Sequence, residues 1–160
     1  MSWEEDLEEL KKRAELAKEM GGIERIAKHY ARGRLTVRER IDKLLDENSF
    51  HETGELTGKV TYDEDGEIKE FVPANFVFGR GKVEGREIVV AGDDFTVRGG
   101  AADARIGNKS LYSLKLAEYH RLPLVNLVDG SGGGGSVKTL ETMGATYVPG
   151  LPSWQNIVRL

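Results

Sequence analysis

The chain has 160 residues, of which 39% are apolar and 31% charged, and this composition is typical of a folded globular protein rather than a disordered one. A formal charge of −4 argues against a dedicated nucleic-acid binder, and the lack of cysteine excludes disulfide scaffolds, thiolate zinc sites and cysteine nucleophiles. No apolar run approaches the ~18 residues that span a bilayer and no signal-peptide pattern opens the chain, so we expect a cytoplasmic protein without membrane insertion.

The first 50 residues are predicted to form a helical segment. Apolar residues recur at helical spacing over residues 3–30, with an interruption at Gly21-Gly22 and a stop near Gly33. Thr36 followed three residues later by Glu39 has the spacing of a capping box, so another helix is expected to begin near Thr36.

Charge is unevenly distributed along this half of the chain. Residues 11–43 hold eleven Lys/Arg and five Asp/Glu, whereas residues 44–75 hold two Lys and nine Asp/Glu. Two solvated faces that attract one another would explain this pattern, and so would a basic helical surface that meets an anionic cofactor or a partner subunit.

The pattern after Phe50 predicts an α/β arrangement. Two hairpins are expected, one from Glu55–Tyr62 and Glu67–Val72, the other from Phe76–Val83 and Arg86–Ala91. The run Ile88–Ala91 is apolar without alternation, which indicates a strand covered on both faces. A helix over 103–120, a buried strand over 122–128 and a helix over 137–144 complete the order.

A glycine-rich stretch follows the last predicted strand. Six of the 20 glycines lie between Gly130 and Gly144. Backbone N–H groups in such a turn suit a phosphate or a developing oxyanion, although a flexible surface loop is equally compatible with the local sequence. A P-loop is excluded because Lys138-Thr139 are not preceded by glycine, and neither Ser131 nor Ser136 has a partner that would make it a nucleophile.

Three stretches together resemble a known family. They are Gly33–Asp46 with Ser49-Phe50, then Asp94-Phe-Thr-Val-Arg-Gly-Gly100, then Leu124–Val128 with Asp129-Gly-Ser-Gly-Gly133. In this order they resemble the start of the carboxyltransferase (β) subunit of biotin-dependent acyl-CoA carboxylases of the propionyl-CoA and methylcrotonyl-CoA type. The resemblance implies an incomplete crotonase-like ββα fold preceded by N-terminal helices, with a helical segment at 1–50 and the first part of the N-terminal carboxyltransferase domain at 51–160.

The resemblance also implies the chemistry. Such subunits move a carboxyl group from carboxybiotin, held on a biotin carrier that works with a biotin carboxylase subunit, to the α-carbon of an acyl-CoA. They use backbone N–H pairs, with no metal and no catalytic side chain. Carried over residue by residue, Arg98, Gly99, Gly100, Ser131, Gly132 and Gly133 are expected to bind acyl-CoA, with Arg98 at a CoA phosphate. Asp94 is expected to cap a turn, His120 to end a helix, and Arg34, Arg38 and Arg40 to be structural or to face another subunit.

Two departures from the family pattern bear on function. Gly130 is inserted before Ser131, and Gly134-Gly135 replace the usual Ala-Arg, so a contact made by that arginine is absent. The family's later Ala-Gly-Gly segment and its second domain are also absent, so we expect a fragment that is inactive alone and that forms homo-oligomers, with apolar residues of 151–160 uncovered.

Two alternative functions remain open. One is an acyl-CoA decarboxylase subunit of a biotin-dependent pump, and the other is a non-catalytic module that binds acyl-CoA or a partner.

Overall fold

A computed structural model of the chain describes residues 3–101, 108–129, 137, 140, 141, 144 and 145. Helices occupy the N-terminal part, as Trp3–Lys18 (α1), Ile23–Tyr30 (α2) and Val37–Leu44 (α3). The expected interruption at Gly21-Gly22 is confirmed. The capping box is also confirmed, because the Thr36 hydroxyl accepts from the Glu39 N–H while the Glu39 carboxylate accepts from the Thr36 N–H.

The remaining elements are strands interrupted by one further α-helix, which lies between the last two of them. They are His51–Glu52 (β1), Gly58–Tyr62 (β2), Ile68–Pro73 (β3), Phe76–Val83 (β4), Arg86–Asp93 (β5), Lys109–His120 (α4) and Leu124–Leu127 (β6). Strands β1, β4, β5 and β6 form one sheet in that order, and β2 pairs with β3 in a separate hairpin. The α/β prediction is confirmed. The predicted helix over 103–120 is described from Lys109 onward. Of the predicted helix over 137–144, half of the residues are described, and Val137, Leu140 and Glu141 are helical. All of 151–160 lies outside the described residues.

Strand β5 forms the centre of the core. Val89 and Val90 are both fully buried, as the unbroken apolar run predicted. On one face Val37, Ile41 and Leu45 of the α3 region pack against Ile88 and Val90. On the other face Ala91 joins Phe76 and Phe78, with Leu116 of α4 against them. The sheet is therefore sandwiched between α3 and α4.

The β2–β3 hairpin is held by α1. Lys12 forms an ion pair with Glu67 at 3.2 Å, and the Arg13 guanidinium donates to the Tyr62 hydroxyl. On the main sheet, Arg38 of α3 pairs with Glu52 of β1 at 2.7 Å. The basic and acidic halves of the sequence thus meet, which agrees with the interpretation of two faces that attract one another.

No helix among the described residues is long and apolar enough to cross a membrane.

Candidate functional site

The two loops predicted to bind acyl-CoA leave the same edge of the sheet. Strands β5 and β6 are parallel neighbours, with Gly92 opposite Leu127 at their carboxyl ends. Residues 94–100 follow β5, and Asp129 with the glycine-rich stretch follows β6. Ligands in open α/β sheets gather beyond the carboxyl ends of strands, so this edge is the candidate site.

Asp94 organises the first loop. Its carboxylate accepts from the Thr96 N–H at 2.9 Å and from the Thr96 hydroxyl at 2.5 Å, and its carbonyl accepts from the Val97 N–H. The expectation that Asp94 caps a turn is confirmed. Burial raises the pKa of the Asp94 carboxyl, although the hydrogen bonds from Thr96 act in the opposite direction.

The loop ends in a left-handed stretch of backbone. Arg98, Gly99 and Gly100 have φ of 51°, 64° and 66°, a region that an arginine seldom adopts. Such strain persists only where the surrounding structure enforces it, and it is concentrated at functional sites.

The amides of the two glycines differ. The Gly100 N–H donates to the Val97 carbonyl at 3.1 Å and so serves the turn itself. Within the part of the chain that the structure describes, the Gly99 N–H has no acceptor. Both amides are predicted to bind acyl-CoA, and of the two it is the Gly99 N–H that is available to donate to a ligand.

Gly100 joins the two loops. A Cβ at this position would lie 3.3 Å from the Phe95 ring and 3.4 Å from the Asp129 carbonyl oxygen, so the chain leaving β6 passes directly against it. The other predicted residues, Ser131, Gly132 and Gly133, lie outside the described residues.

A cluster from the N-terminal helices completes this edge, and sequence reasoning missed most of it. The His29 ring stacks on Phe95 with centroids 6.1 Å apart, and its Nε2 is 3.7 Å from Asp129 Oδ2. The Arg34 guanidinium lies over the Phe95 ring, 5.8 Å from its centroid, and its Nη1 is 3.8 Å from Asp129 Oδ1. His29 gave no signal in the sequence, because a single histidine on a helix has no local pattern that assigns it a partner.

A buried ion cluster lies between α3, β1 and α4. Glu52 accepts from Arg38 at 2.7 Å and is 3.5 Å from Lys109 Nζ, and both the Glu52 and Lys109 side chains are more than nine-tenths buried. Burial lowers the pKa of the Lys109 ammonium, while the Glu52 carboxylate acts in the opposite direction. The structural role expected for Arg38 is supported by this contact.

Other sites on the described surface do not suggest catalysis. A cleft of about 420 Å³ lined by Asp46, His51, Arg80 and Glu87 lies toward the start of β5, away from the candidate edge. No cluster of three or more potential metal-ligating side chains occurs among the described residues. The chemistry that the candidate edge offers is hydrogen bonding from backbone amides beside basic side chains.

Comparison with known proteins gives consistent matches. A family model described as "Carboxyl transferase domain" matches residues 28–148. The propionyl-CoA carboxylase beta chain of Roseobacter denitrificans is 36% identical over 79% of this chain and 25% of its own length. The methylmalonyl-CoA decarboxylase subunit alpha of Veillonella parvula is 33% identical over 81% of this chain and 25% of its own length.

Among solved structures, transcarboxylase 12S with methylmalonyl-coenzyme A bound matches 99% of this chain and 29% of its own length, at 28% identity and a TM-score of 0.69. The crotonase-like fold preceded by N-terminal helices is thereby confirmed. The chain spans about a quarter of the length of the curated relatives it matches.

Proposed function

This chain belongs to the carboxyl transferase domain family, and we propose that it forms part of the acyl-CoA site of a biotin-dependent carboxyltransferase. The observation that carries the proposal is the Gly99 N–H, which lacks an acceptor among the described residues and lies beside the Gly100–Asp129 junction at the carboxyl edge of two parallel strands.

The reaction needs charge stabilisation more than a reactive side chain. Transfer of a carboxyl group from carboxybiotin to the α-carbon of an acyl-CoA would exchange the α-C–H bond for a C–C bond, and the α-proton would take the place of the carboxyl group on the biotin nitrogen. Negative charge develops on the thioester oxygen before the new C–C bond forms. Fixed N–H donors aimed at that oxygen lower the barrier, and the loss of one such donor typically costs about 3–4 kcal/mol. Biotin on a carrier subunit supplies the carboxyl group, and the residues described here are assigned to the acyl-CoA side alone.

Each predicted residue has a proposed role on that side. Gly99 donates its N–H to the acyl-CoA, and Gly100 allows the second loop to approach closely. Arg98 binds a CoA phosphate. Ser131, Gly132 and Gly133 extend the amide surface from the second loop.

We propose further that the chain acts in a homo-oligomer together with a biotin carboxylase and biotin carrier subunit. The similarity to transcarboxylase 12S, whose structure is described as a hexamer assembly with methylmalonyl-coenzyme A, supports this proposal.

The test is a carboxylation assay on the protein encoded by the complete reading frame. Labelled bicarbonate, ATP, a biotin carboxylase and a biotinylated carrier are supplied with propionyl-CoA, methylcrotonyl-CoA or acetyl-CoA. We expect acyl-CoA-dependent incorporation of label into acid-stable product. No incorporation with any of these acyl-CoAs, in a preparation that is folded and oligomeric, would contradict the proposal.

A decarboxylase is the second candidate, because the match to the methylmalonyl-CoA decarboxylase subunit is about as strong as the match to the carboxylase chain. An assay with uncarboxylated biotin-carrier protein and methylmalonyl-CoA distinguishes carboxyl transfer to the acyl-CoA from carboxyl transfer to biotin. Carrier carboxylation that outpaces acyl-CoA carboxylation would favour the decarboxylase.

A further inference from the structure

The link between α1 and α2 holds the first site loop. The Gly21 N–H donates to the Thr96 hydroxyl at 2.9 Å, and that hydroxyl in turn donates to Asp94. The Arg25 guanidinium donates to the Thr96 carbonyl at 3.4 Å. A Cβ on Gly21 would lie 2.0 Å from the same carbonyl oxygen, so the two backbones are in direct contact.

The end of α2 and the turn after it hold the start of the second loop. His29 is only 6% exposed, and Asp129 is its charged neighbour. Arg34 approaches the other carboxylate oxygen of Asp129. Phe95 of the first loop contacts both His29 and Arg34, so the same two side chains also reach the first loop.

We infer that residues 21–34 form a clamp that fixes the two site loops relative to each other, with His29 and Arg34 as its positioning residues. His29 and Arg34 approach different oxygens of the Asp129 carboxylate at ion-pair distances of 3.7 and 3.8 Å, and this two-sided contact favours one direction of the chain at Asp129. Because the Asp129 carbonyl lies against Gly100, that direction also determines where the Gly99 N–H points. The link to acyl-CoA binding rests on the proposed function, whereas the clamp itself does not.

His29 and Arg34 act through Asp129 and Phe95 rather than on the reacting atoms. His29 is buried beneath the Phe95 ring. Arg34 is half-exposed, and its exchange for a neutral side chain leaves the core intact. The exposed Arg32, two residues away, forms no ion pair within the described ranges and provides a matched control.

The test compares His29→Gln, Arg34→Gln and Arg32→Gln by amide hydrogen exchange. We expect exchange at Val97 and Gly100, whose N–H groups are bonded within the first loop, to become roughly tenfold faster in the first two variants, which corresponds to about 1.4 kcal/mol. Exchange at Lys59 and Val72, a pair two residues along the β2–β3 ladder from the bonded Thr57–Ala74 pair, should not change. Arg32→Gln should match the unmodified chain throughout, and Arg34→Lys should recover part of the protection.

Two results would overturn the clamp. One is unchanged exchange at Val97 and Gly100. The other is uniform acceleration that includes the hairpin, since this would show a general loss of stability instead of local positioning.

Acyl-CoA affinity is measured separately by calorimetry on the same variants and on the complete protein. If the unmodified protein binds no acyl-CoA, the proposed function fails while the exchange pattern still decides whether the clamp exists. If binding occurs, affinity should fall in His29→Gln and Arg34→Gln and hold in Arg32→Gln. Equal affinity in all three variants would contradict the role of the clamp in the ligand site.

Discussion

Substitution of Gly21 by alanine tests the contact between the N-terminal helices and the first site loop. No positive φ is required at Gly21, so alanine is acceptable to its backbone and any cost arises from the neighbour it meets. The new Cβ would lie 2.0 Å from the Thr96 carbonyl oxygen. An ordinary carbon–oxygen contact is about 3.3 Å, so the two segments must separate by more than ~1 Å.

The expected destabilisation follows from three contributions. Overpacking against backbone typically costs ~1–3 kcal/mol. Loss of the hydrogen bond from the Gly21 N–H to Thr96 adds about 1 kcal/mol. The lower entropy of the unfolded alanine chain returns roughly 0.5 kcal/mol. The net loss is about 1.5–3.5 kcal/mol, or a fall in Tm of roughly 3–14 °C for a chain of this size.

Urea unfolding followed by far-UV circular dichroism provides the measurement. Gly33→Ala is the control, because Gly33 has φ of 68° and open space around it, so only the ~1 kcal/mol cost of left-handed backbone applies. A Gly21→Ala protein that is as stable as Gly33→Ala, or more stable, would refute the contact.

Three further predictions concern the glycine pair, Asp94 and the buried ion cluster. Gly99→Ala and Gly100→Ala share the strain of positive φ, but only at Gly100 does the new methyl group meet close neighbours. Gly100→Ala should therefore be less stable than Gly99→Ala by ~1 kcal/mol in urea unfolding. Equal free energies of unfolding for the two variants would contradict the close approach of Asp129. Burial raises the pKa of the Asp94 carboxyl, so the folded state holds a proton at a pH where the unfolded state has lost it. The stability that this bound proton contributes is complete below about pH 4 and is lost as pH rises through the folded pKa. Asp94→Asn lacks this loss, so its unfolding free energy relative to the unmodified chain should increase from about pH 4 upward, and a pH-independent difference would argue against the buried carboxyl. Glu52→Gln takes the carboxylate away from both Arg38 and Lys109 and should cost about 3 kcal/mol. Lys109→Met in the double variant should restore the part of this loss that comes from Lys109, while the part that comes from Arg38 remains. Fully additive losses in unfolding experiments would show that Glu52 and Lys109 do not interact.

The local structure could be predicted from the sequence where a short pattern determines it. The capping box at Thr36 and Glu39 needs only two residue types at fixed spacing, and both of its hydrogen bonds are present. The buried strand over Ile88–Ala91 follows from an unbroken apolar run, because neither face can be exposed to water without a cost.

The assembly of the candidate site could not be predicted in the same way. His29 and Asp129 are 100 residues apart in sequence, and nothing near either of them specifies the other. The sequence could not show that the Gly99 and Gly100 amides differ either, because the difference depends on which of the two N–H groups donates to the Val97 carbonyl. The family resemblance named both glycines, and the backbone geometry separates their roles.

The most direct test of the account is an amide spectrum of 15N-labelled protein titrated with propionyl-CoA, and in parallel with CoA that lacks the thioester. A hydrogen bond from the Gly99 N–H to the thioester oxygen predicts a saturable downfield shift of the Gly99 proton with propionyl-CoA and a much smaller change with CoA. Saturable binding that shifts other amides and leaves Gly99 unmoved would contradict the assignment of this amide to the acyl group.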